Sequence, residues 1–68
     1  MTTATTEAQR SILEAQITQA TNTAFAASSL AKAFVECGLS EEGKVKAEEA
    51  SKYSRVALAL QKQLDQLA

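Results

Sequence analysis

Sixty-eight residues allow one domain with a thin hydrophobic core, and domains this small usually add disulfides, a metal or oligomerisation. Cys37 is the only cysteine and there is no His, so an intrachain disulfide is excluded and a metal site is not expected, which leaves oligomerisation. A formal net charge of −1 gives no bulk attraction to DNA or RNA, and the longest apolar run, Val56–Leu60, is too short to span a membrane.

The chain has no Pro, and its two Gly residues, Gly38 and Gly43, fall in one short segment. Helical patterns lie on either side of that segment. The opening Met1–Thr6 is mostly β-branched and polar and is expected to be flexible, with Thr6 capping a helix that starts at Glu7. That helix is expected over about 7–37, with Gly38 as its stop and 38–40 as the turn. Ser40 is expected to cap a second helix over about 41–67, with Glu41 and Glu42 in its first turn. Gly43 reads as a weak point, because a first-turn Gly disfavours a helix start. The fold class that follows is all-α, a two-helix antiparallel hairpin assembling into a homo-oligomeric helical bundle.

In the first helix, Leu13, Ile17, Ala20, Ala24, Ala27, Ala31 and Phe34 alternate steps of four and three, an a/d seam. Ile12 and Leu30 widen it on one side and Val35 on the other. The matching seam in the second helix is Ala50, Tyr53, Ala57, Leu60, Leu64 and Leu67, flanked by Val45 and Val56. A second stripe, Ala15, Ala26 and Ala33 with Asn22 and Ser29, lies roughly opposite the first seam at about 100° per residue. Phe25 also projects away from the seam. These alanines serve either helix propensity on a solvated face or a second packing surface, and Phe25 favours the second.

No catalytic constellation is present. General acid–base work at neutral pH most often uses His, and the chain has none. Cys37 lacks a His partner and is expected to be a buried structural cysteine. Glu48 and Glu49 are adjacent on a helix and face different directions. There is no glycine-rich phosphate loop. The chain is therefore read as a non-enzyme that needs no cofactor. The lone cysteine and lack of a signal-peptide pattern predict a cytoplasmic location.

One group of residues suits an anion. Lys44, Arg55 and Lys62 fall within about 20° of one another on the second helix, with Lys52 further round the same polar side. Glu48 lies in that band. Its pairing with Lys52 on a solvated face is one reading of these charges, and phosphate recognition with the Arg55 guanidinium as a planar fork is the other. Tyr53 and Phe25 are candidates for stacking on a base.

The segment Ala47–Ala59 and the Gly-Leu-Ser-Glu-Glu-Gly-Lys-Val-Lys turn before it resemble the last helix and hairpin turn of phage anti-CBASS sponges. That family has a Leu-Glu-Glu-Ala run, an aromatic and then a small apolar stretch. Glu48, Glu49 and Ala50 match the run, Ala47 stands where Leu is usual, Tyr53 takes the place of a frequent Trp, and Val56–Ala59 continue the apolar stretch. The resemblance implies a compact helical oligomer, usually a hexamer. Such an oligomer binds cyclic di- or trinucleotides between subunits without cleaving them, and acts in the host cytoplasm to blunt antiviral signalling. The candidate ligand-binding residues are then Lys44, Lys52, Tyr53, Arg55, Lys62 and Phe25. The competing reading is a small inhibitor or adaptor that offers the Ala15, Phe25, Ala26 and Ala33 face to a partner helix.

Overall fold

The computed structural model describes residues 3–67 and consists of two α-helices, α1 (Thr3–Glu36) and α2 (Ser40–Asp65), with no strand among the described residues. They lie antiparallel in a hairpin whose Cα extents are 54 × 14 × 11 Å. Helix α1 has 34 residues and α2 has 26, so α1 runs on past the end of α2 by about 12 Å at 1.5 Å per residue. The groove between Gln9, Ile12 and Leu13 on α1 and Gln63, Gln66 and Leu67 on α2 marks where α2 ends alongside α1.

The turn is built by Gly38. Its φ of +81° places it in the left-handed region, where a side chain would be strained. The Gly38 N–H donates to the Val35 carbonyl at 3.0 Å, and the Leu39 N–H donates to the Phe34 carbonyl at 2.8 Å. These bonds form a Schellman cap that satisfies the last carbonyls of α1. Leu39 is shared between the helices, because its own carbonyl accepts the Gly43 N–H at 3.0 Å.

Three local expectations change. Helix α1 starts at Thr3 rather than at Glu7, so Thr6 lies inside the helix and the first turn holds no acidic residue. Of the segment 1–6 expected to be flexible, residues 3–6 are helical instead, and Met1 and Thr2 lie outside the described residues. Leu39, not Ser40, takes the N-cap position of α2, and no side chain caps it. The Schellman cap brings α2 in so tightly that Ser40 is already its first helical residue. Glu41 and Glu42 do stand in the first turn of α2 and Lys62 in its last, both favourable to the helix dipole.

Gly43, read as a weak point for helix propensity, is also a point of close approach. It is buried, and a Cβ there would meet Val35 Cγ2 at 2.7 Å and the Ala31 carbonyl oxygen at 3.0 Å. The helices come this near because small residues occupy the seam. Ala20, Ala24 and Ala27 are the buried hydrophobic residues among those described. The larger seam residues, Leu13, Ile17, Phe34, Tyr53, Leu60, Leu64 and Leu67, are half-buried. They close the seam toward its ends while keeping one flank in solvent. Toward the turn, the α2 side of the seam is finished by an ion pair, Lys46 Nζ to Glu49 at 3.2 Å.

Candidate functional site

The candidate residues occupy different sides of one hairpin. Lys44, Arg55 and Lys62 are exposed and, at about 100° per residue, point away from the seam along the back of α2. Lys52 is exposed beside them, and its ammonium stands 5.4 Å from the centre of the Tyr53 ring. This is cation–π distance, so Lys52 is engaged with Tyr53. The expected Glu48–Lys52 pair is absent, and the ion pair found among the described residues is Lys46–Glu49.

The two aromatic candidates lie on opposite faces. Phe25 is 72% exposed and walls an open groove of about 410 Å³ with Thr21, Ser28, Ser51 and Ser54, over a floor that includes Ala24 and Ala50. The groove is apolar below and carries hydroxyls on its rim. Tyr53 is half-buried and lines another groove, of about 390 Å³, with Gln16, Gln19, Thr23, Val56 and Leu60. Lys44 lines a further groove nearer the turn, beside Lys32, Val35 and Ala47. A single hairpin therefore does not gather Phe25, Tyr53 and the cations around one cavity. The reason is angular. Phe25 follows the buried Ala24 by one residue and is swung about 100° out of the seam, whereas Tyr53 is itself a seam position.

The second small-residue stripe is on the surface. Ala15, Asn22, Ala26, Ser29 and Ala33 are all exposed, and Phe25 adjoins them. The residues expected to widen the seam are open as well: Ile12 is 57% exposed, Leu30 46%, Val35 57%, Val45 60% and Val56 40%. Leu58, not singled out in the sequence, is 60% exposed. Its signal was available, since it lies outside both the seam and the small-residue stripe yet is large and apolar.

Cys37 is exposed, not buried as expected. It sits in the turn, one residue past the end of α1, where the Schellman cap carries the chain away from the seam. Among the described residues, no three His, Cys, Asp or Glu side chains cluster as a metal site would require, and no helix is long and apolar enough to cross a membrane.

The protein-family models, the curated proteins and the solved structures contain no match to this chain.

Proposed function

We propose that this chain is a non-enzymatic binding protein whose hairpins assemble with one another and sequester a cyclic oligonucleotide between copies. The observation that carries the reading is the division of the candidate residues. The Lys44, Arg55 and Lys62 row occupies the back of α2, while Phe25 stands 72% exposed on α1. Cations and a stacking surface meet across a junction of two hairpins more readily than within one. Phosphates would pair with the row, with Arg55 supplying the bidentate fork and Lys44, Lys52 and Lys62 the remaining charge. Bases would stack on Phe25 or Tyr53, a contact worth about 1–3 kcal/mol per base. The resemblance of Ala47–Ala59 to anti-CBASS sponges supplies the ligand class. The mechanism is mass action: messenger is withdrawn when sites outnumber it and the dissociation constant lies below its concentration.

Calorimetric titration with a panel of cyclic di- and trinucleotides tests this. The expected result is saturable binding at a fixed fraction of a site per chain. Arg55→Ala should weaken it by roughly tenfold or more, in line with a lost charged hydrogen bond, and leave helicity unchanged. Absence of heat with every ligand, from a folded protein, rules the reading out for that panel.

A second reading is favoured by the exposed Ala15, Phe25, Ala26 and Ala33 face, which suits close approach by a partner helix. In that case the isolated protein leaves this face open, and a protein partner, not a nucleotide, protects it.

A further inference from the structure

The charges of α1 are gathered on one side. Its charged residues, Glu7, Arg10, Glu14, Lys32 and Glu36, fall within about 80° of arc at about 100° per residue. Phe25 lies in the same arc, with Thr18, Thr21 and Ser28 filling the rest of its middle. Thr21, Phe25 and Ser28 wall one groove on this side, and Lys32 and Glu36 wall the next toward the turn. A charged arc ordinarily faces water, but this one is poorly arranged for it. In Arg10–Glu14 and Lys32–Glu36 the basic residue comes first, the weaker order for pairs four apart, and neither is an ion pair among the described residues. Glu36 ends α1, where the helix dipole disfavours a carboxylate, and the last turn holds no basic residue. Phe25 stands 72% exposed in the middle of the arc.

We infer that a second copy of the chain covers this side, its α1 lying antiparallel to α1 of the first across a two-fold axis at right angles to the helices. The order of the charges selects both the partner and the direction. From Arg10 to Glu36 the arc reads plus, minus, uncharged middle, plus, minus, and read backwards every sign is exchanged. In one register Arg10 meets the partner's Glu36 and Glu14 meets the partner's Lys32, and the two-fold axis makes each contact twice. The same register sets Thr18 against the partner's Ser28 and Thr21 against the partner's Phe25, so the uncharged positions meet one another. The Thr18 hydroxyl already donates to the Glu14 carbonyl at 3.1 Å, which leaves its methyl group for the junction. At Glu36, the partner's Arg10 supplies the positive charge that the last turn of α1 lacks.

Other arrangements fail on the same charges. With both turns at one end, α1 would lie on α2 of its partner, and Lys32 would face the partner's Lys44, since Lys32 and Lys44 line one groove at one level. The opposite flank of α1, from Ile12 through Gln16, Gln19 and Thr23 to Leu30, carries no charge and specifies no register. The antiparallel register also brings the two Phe25 side chains within about 6 Å of each other along the helices, close enough for an aromatic pair. Leu58, 60% exposed, shares this side of α2 with Ser51 and Ser54 and is covered with it. Tyr53 and Arg55 stay outside the junction. For that last consequence the inference rests on the proposed function, and it makes Tyr53 the open stacking surface.

The test uses no nucleotide, so its failure is distinct from failure of the ligand reading. Light scattering on the wild-type protein should give a mass of an even number of chains. Glu14→Lys and Lys32→Glu each turn two opposite-charge contacts into like-charge ones. Either variant alone should lose self-association by on the order of tenfold or more on dilution. Helicity should be unchanged, because both side chains are exposed and in no ion pair among the described residues. An equimolar mixture of the two variants restores opposite charges at every contact between unlike chains, and should regain the wild-type mass over the wild-type concentration range. A wild type that is monomeric, or built of an odd number of chains, overturns the inference. So do single variants that keep the wild-type mass on dilution. A mixture that stays dissociated also overturns it, because the substitutions then act within each hairpin and not between copies.

Discussion

Gly43 and Val35 stand so close across the hairpin that a Cβ on the glycine would lie 2.7 Å from Val35 Cγ2. A second obstacle, the Ala31 backbone carbonyl at 3.0 Å, cannot rotate aside. Near the turn, the spacing of the helices is therefore set by the absence of a side chain.

Gly43→Ala sets two effects against each other. Alanine favours a helix by about 1 kcal/mol over glycine. Overpacking typically costs about 1–3 kcal/mol, and Val35 is β-branched and stiff in a helix. Overpacking should prevail, lowering stability by about 1 kcal/mol in chemical denaturation. The cost should shrink in a Val35→Ala background, where Cγ2 is gone, and an equal cost in both backgrounds would remove Val35 as the cause.

At Gly38 the problem is backbone conformation and not space, since a Cβ there would meet nothing within 4 Å. With φ at +81°, Gly38→Ala should cost about 1–2 kcal/mol, and Gly38→Asn less, because Asn tolerates the left-handed region better. The order of the two midpoints in urea checks this, and reversed midpoints would contradict a left-handed cap.

Ala26 and Ala27 are neighbours in sequence with opposite surroundings, the first exposed and the second only 4% exposed. Ala27→Leu should force the helices apart at a cost of about 1–3 kcal/mol or more. Ala26→Leu should change hairpin stability by no more than about 0.5 kcal/mol. If a partner helix uses the Ala15, Ala26 and Ala33 stripe, Ala26→Leu should instead abolish capture of that partner with the thermal melt unchanged.

Cys37 should react with a thiol reagent at one equivalent per chain in the native protein, as fast as in denaturant to within a few-fold, because it is exposed in the turn. Cys37→Ser should leave stability within about 0.5 kcal/mol. Protection from the reagent that disappears only on unfolding would mean that another chain covers the turn.

Much of the hairpin was legible in the residues. Every position assigned to the seam, from Leu13 to Phe34 and from Ala50 to Leu67, is buried or half-buried. A seam of alternating four and three steps is a local property, since helical geometry alone puts those side chains on one face. The stop at Gly38 was legible for a similar reason, as it concerns one residue's backbone angle. The helix ends were less so. The start at Thr3 overrides the weak preference of β-branched residues, and Ser40 lost the cap position to a turn geometry that joins both helices.

The candidate site was legible as a list of residue types and not as a place. Lys44, Arg55 and Lys62 share a face because they share a helix, and periodicity suffices to say so. That Phe25 and Tyr53 face opposite ways depends on which flank of α1 meets which flank of α2. The pairing of Lys52 with the Tyr53 ring, in place of Glu48, depends on the rotamers the surface allows.

The sequence by itself determined two helices, one turn and the seam between them, because spacing along a helix and the conformational freedom of glycine act within a few residues. Only the tertiary structure decided that Gly43 is a close-approach point, that Cys37 is open, and that Phe25 and Tyr53 line grooves on opposite sides of the hairpin. Each of these depends on atoms distant in the chain, brought near or kept apart by how closely the alanine seam lets two helices approach.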